Sequence, residues 1–558
     1  MKILLAACNA KYIHSNLAVY SLKAYAGKYE KNLLLREYTI NQQKDDILRD
    51  IFKSDAQVVC FSCYIWNISF VRELLADLAQ IMPDMDFWVG GPEVSYEAVQ
   101  FLSENPQVKG VMLGEGEETF LDLVRYYVEG TPPELSNIRG IAWRERDRVL
   151  ETGWREPMDL SLLPFVYQDL QAFENRILYY ETSRGCPFSC SYCLSSVEKK
   201  LRFRSLDLVL PELQFFLDHR VPQVKFVDRT FNCRHSHALA IWRYLTEHDN
   251  GITNFHFEIS ADLLTEEEMA LMAEMRPGLI QLEIGVQSTN PDTIHAIRRT
   301  MDLERLSAVV RRIHSYGNIH QHLDLIAGLP FEGYESFQKS FNQVYALCPD
   351  QLQLGFLKVL KGSRMMEMAS EYGIVYKKSE PYEVLFTRWL SYEEILKLKM
   401  VESMVEIYYN SGQFRSSLPF LLTYFPGAFS FYEALGAYYE KKGYQEISHS
   451  RIRRYEILLE FCQEYPEIPK NALEDHLICD LYIREHYKSR PPFGRDQKPF
   501  ERQLWLYRKK NQVAKTAHVH ILWDGRAVLF DYEKRDPLSQ NAVATEIDLS
   551  YVSEMHIL

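Results

Sequence analysis

Through the first 128 residues, short apolar runs alternate with stretches in which apolar positions return at helical spacing. The runs KILLAAC, NLLLREYTI, AQVVCFSCYI, DFWVGG and VKGVMLGEG read as strands. Strand and helix in regular alternation predict an α/β fold with a doubly wound parallel sheet of Rossmann-like type. From 130 to 178 no period is sustained. Pro132, Pro133, Pro157 and Pro164 punctuate a connecting segment there, with one hairpin expected around IAWRERDRVLE. A second alternating series opens at ILYYETS and passes through QVKFVDRT, NFHFEIS, LIQLEIGVQS, HLDLIAGLP and QLQLGFLKVL. Parallel strands with crossover helices in this order predict a partial or full (β/α) barrel with its chemistry at the carboxyl ends of the strands. Farther on, long Tyr- and Leu-rich segments such as YEEILKLKMVESMVEIYYN read as helices, and AHVHILWDGRAVLFDY alternates as a hairpin turning at Asp524-Gly525. The expected organisation is an α/β domain over 1–130, a linker over 131–178, a barrel over 179–375 and a mainly helical region with a terminal β-hairpin over 376–558.

Length and composition agree with several buried cores: 558 residues, 47% of them hydrophobic. A net charge of −13 argues against a general nucleic-acid binder and favours a small-molecule substrate. The opening MKILLAACNAKYIHSNL reads as a first strand rather than a signal peptide, and no apolar run reaches the length of a membrane span. Ten cysteines, three of them clustered, suggest metal ligation plus core thiols rather than a secreted disulfide framework, so a cytoplasmic location is expected.

The cluster lies in ETSRGCPFSCSYCLSS, directly after a strand, with Cys186, Cys190 and Cys193 spaced C-x3-C-x2-C. A 4Fe-4S cube normally takes four cysteine ligands, so three from one loop leave an iron open to a small chelating molecule. A structural zinc site needs four protein ligands, and neither a fourth cysteine nor a histidine accompanies this loop. With aromatic Tyr192 before its last cysteine, the loop resembles the signature of the radical S-adenosylmethionine (radical SAM) superfamily. That resemblance implies Cys186, Cys190 and Cys193 as cluster ligands and S-adenosylmethionine on the open iron, cleaved reductively to a 5'-deoxyadenosyl radical. It further implies Asp228 and Arg229, in KFVDRTFN, where relatives hold the methionyl amino group. Glu283 and Gln287 alternate along one strand face and would reach ribose or substrate, or else form a buried hydrogen-bonded pair. Arg299 resembles an arginine that pairs with the methionyl carboxylate, or else is a solvated helix arginine, and Gly328 would let backbone approach the adenosyl moiety or serve the turn before Pro330.

Polar and glycine residues at the strand ends of the first sheet mark where such a fold binds ligands. Ser62, Gly90-Gly91-Pro92-Glu93 and Gly114-Glu115-Gly116-Glu117 resemble the cobalamin-binding domain of cobalamin-dependent radical enzymes, a likeness spanning roughly residues 1 to 370. The histidine that ligates cobalt in some such domains sits in Asp-x-His-x-x-Gly; here the window reads Tyr12-x-His14-x-x-Leu17, which leaves His14 open between a cobalt ligand and a supporting role. Cys60 and Cys63, within a strand, should point to opposite faces as core thiols. The stretch YKSRPPFGRDQKPFERQLWLYRKK mixes basic and aromatic residues and is read as a solvated surface rather than an RNA-binding one.

Taken together, the resemblance implies a cobalamin-dependent radical SAM enzyme that methylates an unactivated carbon of a small molecule and draws electrons from a flavodoxin or ferredoxin. The alternatives are a methylthiotransferase-like enzyme of transfer RNA, a radical cyclase or rearrangement enzyme, and a non-enzymatic cobalamin or redox sensor.

Overall fold

The computed structural model describes residues 1–129 and 134–549; Pro132, Pro133 and the boundary expected at 130 lie outside the described residues. The first sheet comprises β1 (Ile3–Asn9), β2 (Leu33–Thr39), β3 (Val58–Ser62), β4 (Asp86–Gly90), β5 (Val108–Met112), β6 (Ile141–Glu145) and β7 (Arg148–Glu151), ordered β2-β1-β3-β4-β5-β6-β7. The first five are parallel, and the chain order reverses between β1 and β3, which opens a crevice at their carboxyl ends. All seven residues of β1, ILLAACN, are buried, as a central parallel strand covered on both faces requires. Separate apolar cores lie on the two faces: Cys60 belongs to one and Cys63 to the other, as the alternation of a strand predicts. The hairpin foreseen at IAWRERDRVLE is β6–β7, and β6 pairs antiparallel with β5. The segment read as a linker therefore extends this sheet.

After β8 (Leu178–Tyr180), the two-residue strands β9 (Ser183–Arg184) and β10 (Arg202–Phe203) pair antiparallel. The series continues with β11 (Gln223–Phe226), β12 (Asn254–Ile259), β13 (Ile280–Gln287), β14 (His320–Ala327) and β15 (Gln351–Phe356). These form one parallel sheet ordered β15-β14-β13-β12-β11-β8, a partial barrel with β8 and β15 at its edges. Alternation sets its chemistry. Ile280, Leu282, Ile284 and Val286 are fully buried against the outer helices, while Gln281, Glu283, Gly285 and Gln287 face the interior.

The N-terminal domain touches both sides of the gap. His14 bridges to Ile177 beside β8, and Tyr382, on the chain beyond β15, donates a hydrogen bond to Glu93.

Beyond the short antiparallel pair β16 (Val375–Tyr376) and β17 (Val384–Phe386), the chain is mainly helical, with helices at Tyr392–Met404, Ala428–Lys442, Arg451–Cys462 and Lys470–Arg484. Their buried Tyr432, Leu458 and Ile478 belong to the same apolar core as Phe257 and Leu282 of the barrel. The expected hairpin is β18 (His518–Ile521) with β19 (Ala527–Arg535); β20 (Ala542–Ile547), unforeseen, makes it a three-stranded sheet. Among the described residues, no helix is long and apolar enough to cross a membrane.

Candidate active site

The β9–β10 ladder closes the base of the cysteine loop, with Arg184 opposite Arg202 and Ser183 opposite Phe203. Gly185 starts the loop at φ +95°, and a Cβ there would lie 2.8 Å from the Lys200 carbonyl oxygen, so only glycine fits. Cys186 and Cys190 are buried and Cys193 half-buried. Burial raises the Cys190 thiol, while Arg299 pulls it down toward the thiolate. Three free thiols on one loop, one short of the four protein ligands of a structural zinc site, fit an iron–sulfur cube with one open iron better than zinc.

Asp228, expected at the methionyl amino group, braces this loop instead. Its Oδ1 accepts from the Thr182 hydroxyl at 2.6 Å and the Ser183 hydroxyl at 2.7 Å, and its Oδ2 accepts from the Thr182 N–H at 3.0 Å. Full burial raises its carboxyl to about 6, against the pull of those hydrogen bonds. Both oxygens are used within the protein, because the register of β8 with β11 puts the residues after each strand side by side. Arg229 is largely exposed, its guanidinium 3.8 Å from Glu258. The neighbour unforeseen in the sequence is Thr230, whose hydroxyl lies 3.7 Å from the Cys186 sulfur.

Arg299, implied at the methionyl carboxylate, lies beside the cysteine loop. Its Nη1 lies 3.9 Å from the Cys190 sulfur and 3.3 Å from the Tyr192 hydroxyl, and its Nη2 donates to the Gly285 carbonyl. Gln287 ends β13 at a register shift, with φ +70°, and its buried Oε1 has no hydrogen-bond partner. A buried orphan acceptor on a strained residue at the carboxyl end of a barrel strand is poised for a ligand donor. Glu283 is four residues lower, roughly 13 Å along the strand. It accepts from Lys225 Nζ at 3.0 Å and His256 Nε2 at 2.9 Å, which does not put it with Gln287 at the cysteine loop. Burial works against its charge, but His256 and Lys225 outweigh that and lower the carboxyl to about 2. Gly328, at φ +89°, is explained by packing: a Cβ would meet Val384 of β17 at 2.7 Å.

In the N-terminal domain, Ala7, Ser62 and Gly90 pair in one row across β1, β3 and β4, so small side chains line the carboxyl edge of the sheet. The half-buried Ser62 hydroxyl there accepts from Asn16 at 3.2 Å. Gly91, φ +115°, is required by the fold itself, since a Cβ would fall 2.4 Å from the Cys63 carbonyl oxygen. Pro92 starts a short helix after it. Glu93 faces away from that edge and takes the Tyr382 hydroxyl and Lys361, 3.4 Å away. Gly114, φ +66°, leaves space for the Trp154 ring. Glu115 pairs with Arg202 at 2.5 Å, and Glu117 with Arg184 at 2.8 Å. Both carboxylates therefore tie the N-terminal domain to the ladder under the cysteine loop. Burial would raise Glu115, yet Arg202 and Arg184 hold it below its usual value. His14 gives its Nδ1 to the Tyr179 hydroxyl at 2.7 Å, and burial lowers its pKa. That bond fixes the ring against the barrel edge.

Comparison with known proteins gives these elements a family context. Residues 3–124 match the B12 binding domain family, 180–344 the Radical SAM superfamily, and 370–521 a family described as a protein of unknown function, DUF4080. An uncharacterised methyltransferase of Pyrococcus horikoshii is 24% identical over 365 residues, covering 63% of this chain and 77% of that protein. The cobalamin-dependent radical SAM methyltransferase TokK of Streptomyces tokunonensis is 26% identical, covering 51% of this chain, which spans 44% of TokK's length in the match. The cobalamin-dependent S-adenosylmethionine radical enzyme OxsB shares the fold at a TM-score of 0.60 and 14% identity, over 92% of this chain and 81% of OxsB. A B12 binding domain, a Radical SAM domain built as a six-stranded partial barrel with a three-cysteine loop, and a segment of the DUF4080 family thus occur in one chain.

Proposed function

We propose that this protein is a cobalamin-dependent radical SAM methyltransferase acting on a small polar molecule, with Cys186, Cys190 and Cys193 as cluster ligands. The observation that carries the reading is the clamp between the two domains: Glu115 and Glu117, at the carboxyl edge of the first sheet, pair with Arg202 and Arg184 under the cysteine loop. It fixes the cobalamin-type edge and the cysteine loop against each other, as transfer between two cofactors requires. When bound, a 4Fe-4S cluster would supply the electron that cleaves S-adenosylmethionine, and a cobalamin would supply the methyl carrier.

The protein's own residues hold and orient. Asp228 braces Thr182 and Ser183 at the start of the cysteine loop. Arg299 offers positive charge beside Cys190 and the methionyl carboxylate expected there. Gln287 presents its unpaired Oε1 to a donor of the bound nucleoside or substrate. The substrate would meet a polar wall, since Lys225, His256, Glu258, Glu283, His322 and Asp324 all face the barrel interior. A polar metabolite suits that lining better than a lipid. Electrons would come from a flavodoxin or ferredoxin, and the reading places the enzyme in the cytoplasm.

The test is an anaerobic incubation of the loaded enzyme with S-adenosylmethionine labelled in its methyl group, a reductant and a small-molecule extract, followed by mass spectrometry. Label in a new carbon-methylated product together with 5'-deoxyadenosine supports the reading. Substrate-dependent deoxyadenosine without any methylated product would remove methyl transfer.

A further inference from the structure

We propose that Glu283, His322 and Asp324 form a binding site for one divalent transition-metal ion inside the barrel, apart from the cysteine loop. Glu283 lies on β13, and His322 and Asp324 on β14, on neighbouring strands whose register sets Glu283 beside His322 and Gly285 beside Asp324. One ligand atom from each of the three residues lies within 4.8 Å of the other two.

A second observation points to an occupant. His322 is only 7% exposed, and its Nε2 stands 3.0 Å from Asp324 Oδ1, an ion pair when the imidazole is protonated, but the two atoms do not meet in hydrogen-bond geometry and neither has another hydrogen-bond partner. With a neutral imidazole, both buried atoms present lone pairs to the same small space and neither is satisfied. A cation between them would satisfy both lone pairs at once. Glu283 is already oriented for such a role: Lys225 and His256 both donate to its Oε2, an arrangement like the outer partners that orient metal-bound carboxylates, and neither uses its other oxygen.

The donor set, one imidazole and two carboxylates, suits zinc, manganese or ferrous iron rather than a soft ion. Three protein ligands leave a position for water or a small oxygen ligand. The three thiols of the cysteine loop are no part of this set, and the proposal stands whether or not the methyltransferase reading does.

To test it, the full chain with its cluster loaded is equilibrated anaerobically with Zn2+ alone or Mn2+ alone, desalted, and analysed for metals, with His322→Ala and Asp324→Asn treated alongside. The expected result is about one equivalent of at least one of these ions in the wild type, lost in both variants while iron stays unchanged. Unchanged iron shows that a variant has folded, and Asp324→Asn keeps the volume of the site if His322→Ala does not fold. Zinc on stray thiols would persist in the variants and is subtracted. No added ion in the wild type, or the same amount in wild type and variants, would overturn the proposal.

Discussion

Asp228 and Thr182 stand 46 residues apart, yet the Asp228 carboxylate receives both the hydroxyl and the backbone N–H of Thr182, at 2.6 and 3.0 Å. Through this contact the end of β11 holds the start of the cysteine loop.

The first prediction follows from that bond pattern. In Asp228→Asn the amide must turn either an NH2 toward the Thr182 N–H or its oxygen away from two hydroxyls. Leaving a buried donor facing a donor costs about 1–3 kcal/mol. We expect a lower Tm and, under identical loading, clearly less iron per chain, with cobalamin content unchanged. Wild-type iron in the variant would show that the brace is dispensable.

Tyr382→Phe tests the docking of the N-terminal domain. Its hydroxyl donates to Glu93, which burial raises while Tyr382 and Lys361 pull it down. Removing the hydroxyl leaves Lys361 as the remaining partner, at 3.4 Å. The expected loss is about 1–2 kcal/mol, seen as faster proteolysis between the two domains and a weaker hold on cobalamin. Proteolysis at the wild-type rate would refute the coupling.

Gly91→Ala should be among the most damaging single changes in the first sheet. It puts a Cβ 2.4 Å from the Cys63 carbonyl oxygen on a backbone at φ +115°. Strain of this kind costs about 1–3 kcal/mol before the clash is counted. Thermal denaturation should show the loss, and an unchanged Tm would contradict the packing described.

Glu258 supplies a pH dependence. Burial raises its carboxyl to about 7, with Arg229 pulling the other way. The fold therefore favours the neutral form. The contribution of Glu258 is complete below its ordinary pKa and is lost as pH rises through 7. Relative to Glu258→Gln, the wild type should lose up to about 2 kcal/mol between about pH 5 and pH 8. Parallel stability curves for the two proteins would rule this out.

What the sequence disclosed was whatever depends on near neighbours. The three cysteines share one loop of the chain, and the strands of both sheets carry their apolar runs openly, as ILLAACN and IQLEIGVQ show. Lys225, His256, and the pair His322 and Asp324 were not foreseen as a group because they sit at inward positions of three separate strands, β11, β12 and β14. Only the parallel register brings them together. The same limit applies to Glu93, Glu115 and Asp228, which were matched to cofactor contacts by motif but are taken up by Tyr382, Arg202 and Thr182. Nor does local pattern tell that the β6–β7 hairpin joins the first sheet, or that the C-terminal helices share the barrel's core, since both depend on docking between remote segments.

The most direct test of the central claim is anaerobic purification with cobalamin supplied, followed by iron, sulfide and cobalt analysis of the wild type and of a Cys186→Ala, Cys190→Ala, Cys193→Ala variant. The account predicts about four irons and one cobalt per chain in the wild type, with iron alone lost in the variant. Iron retained in the variant, or a wild type that takes up iron but no cobalt, would contradict it.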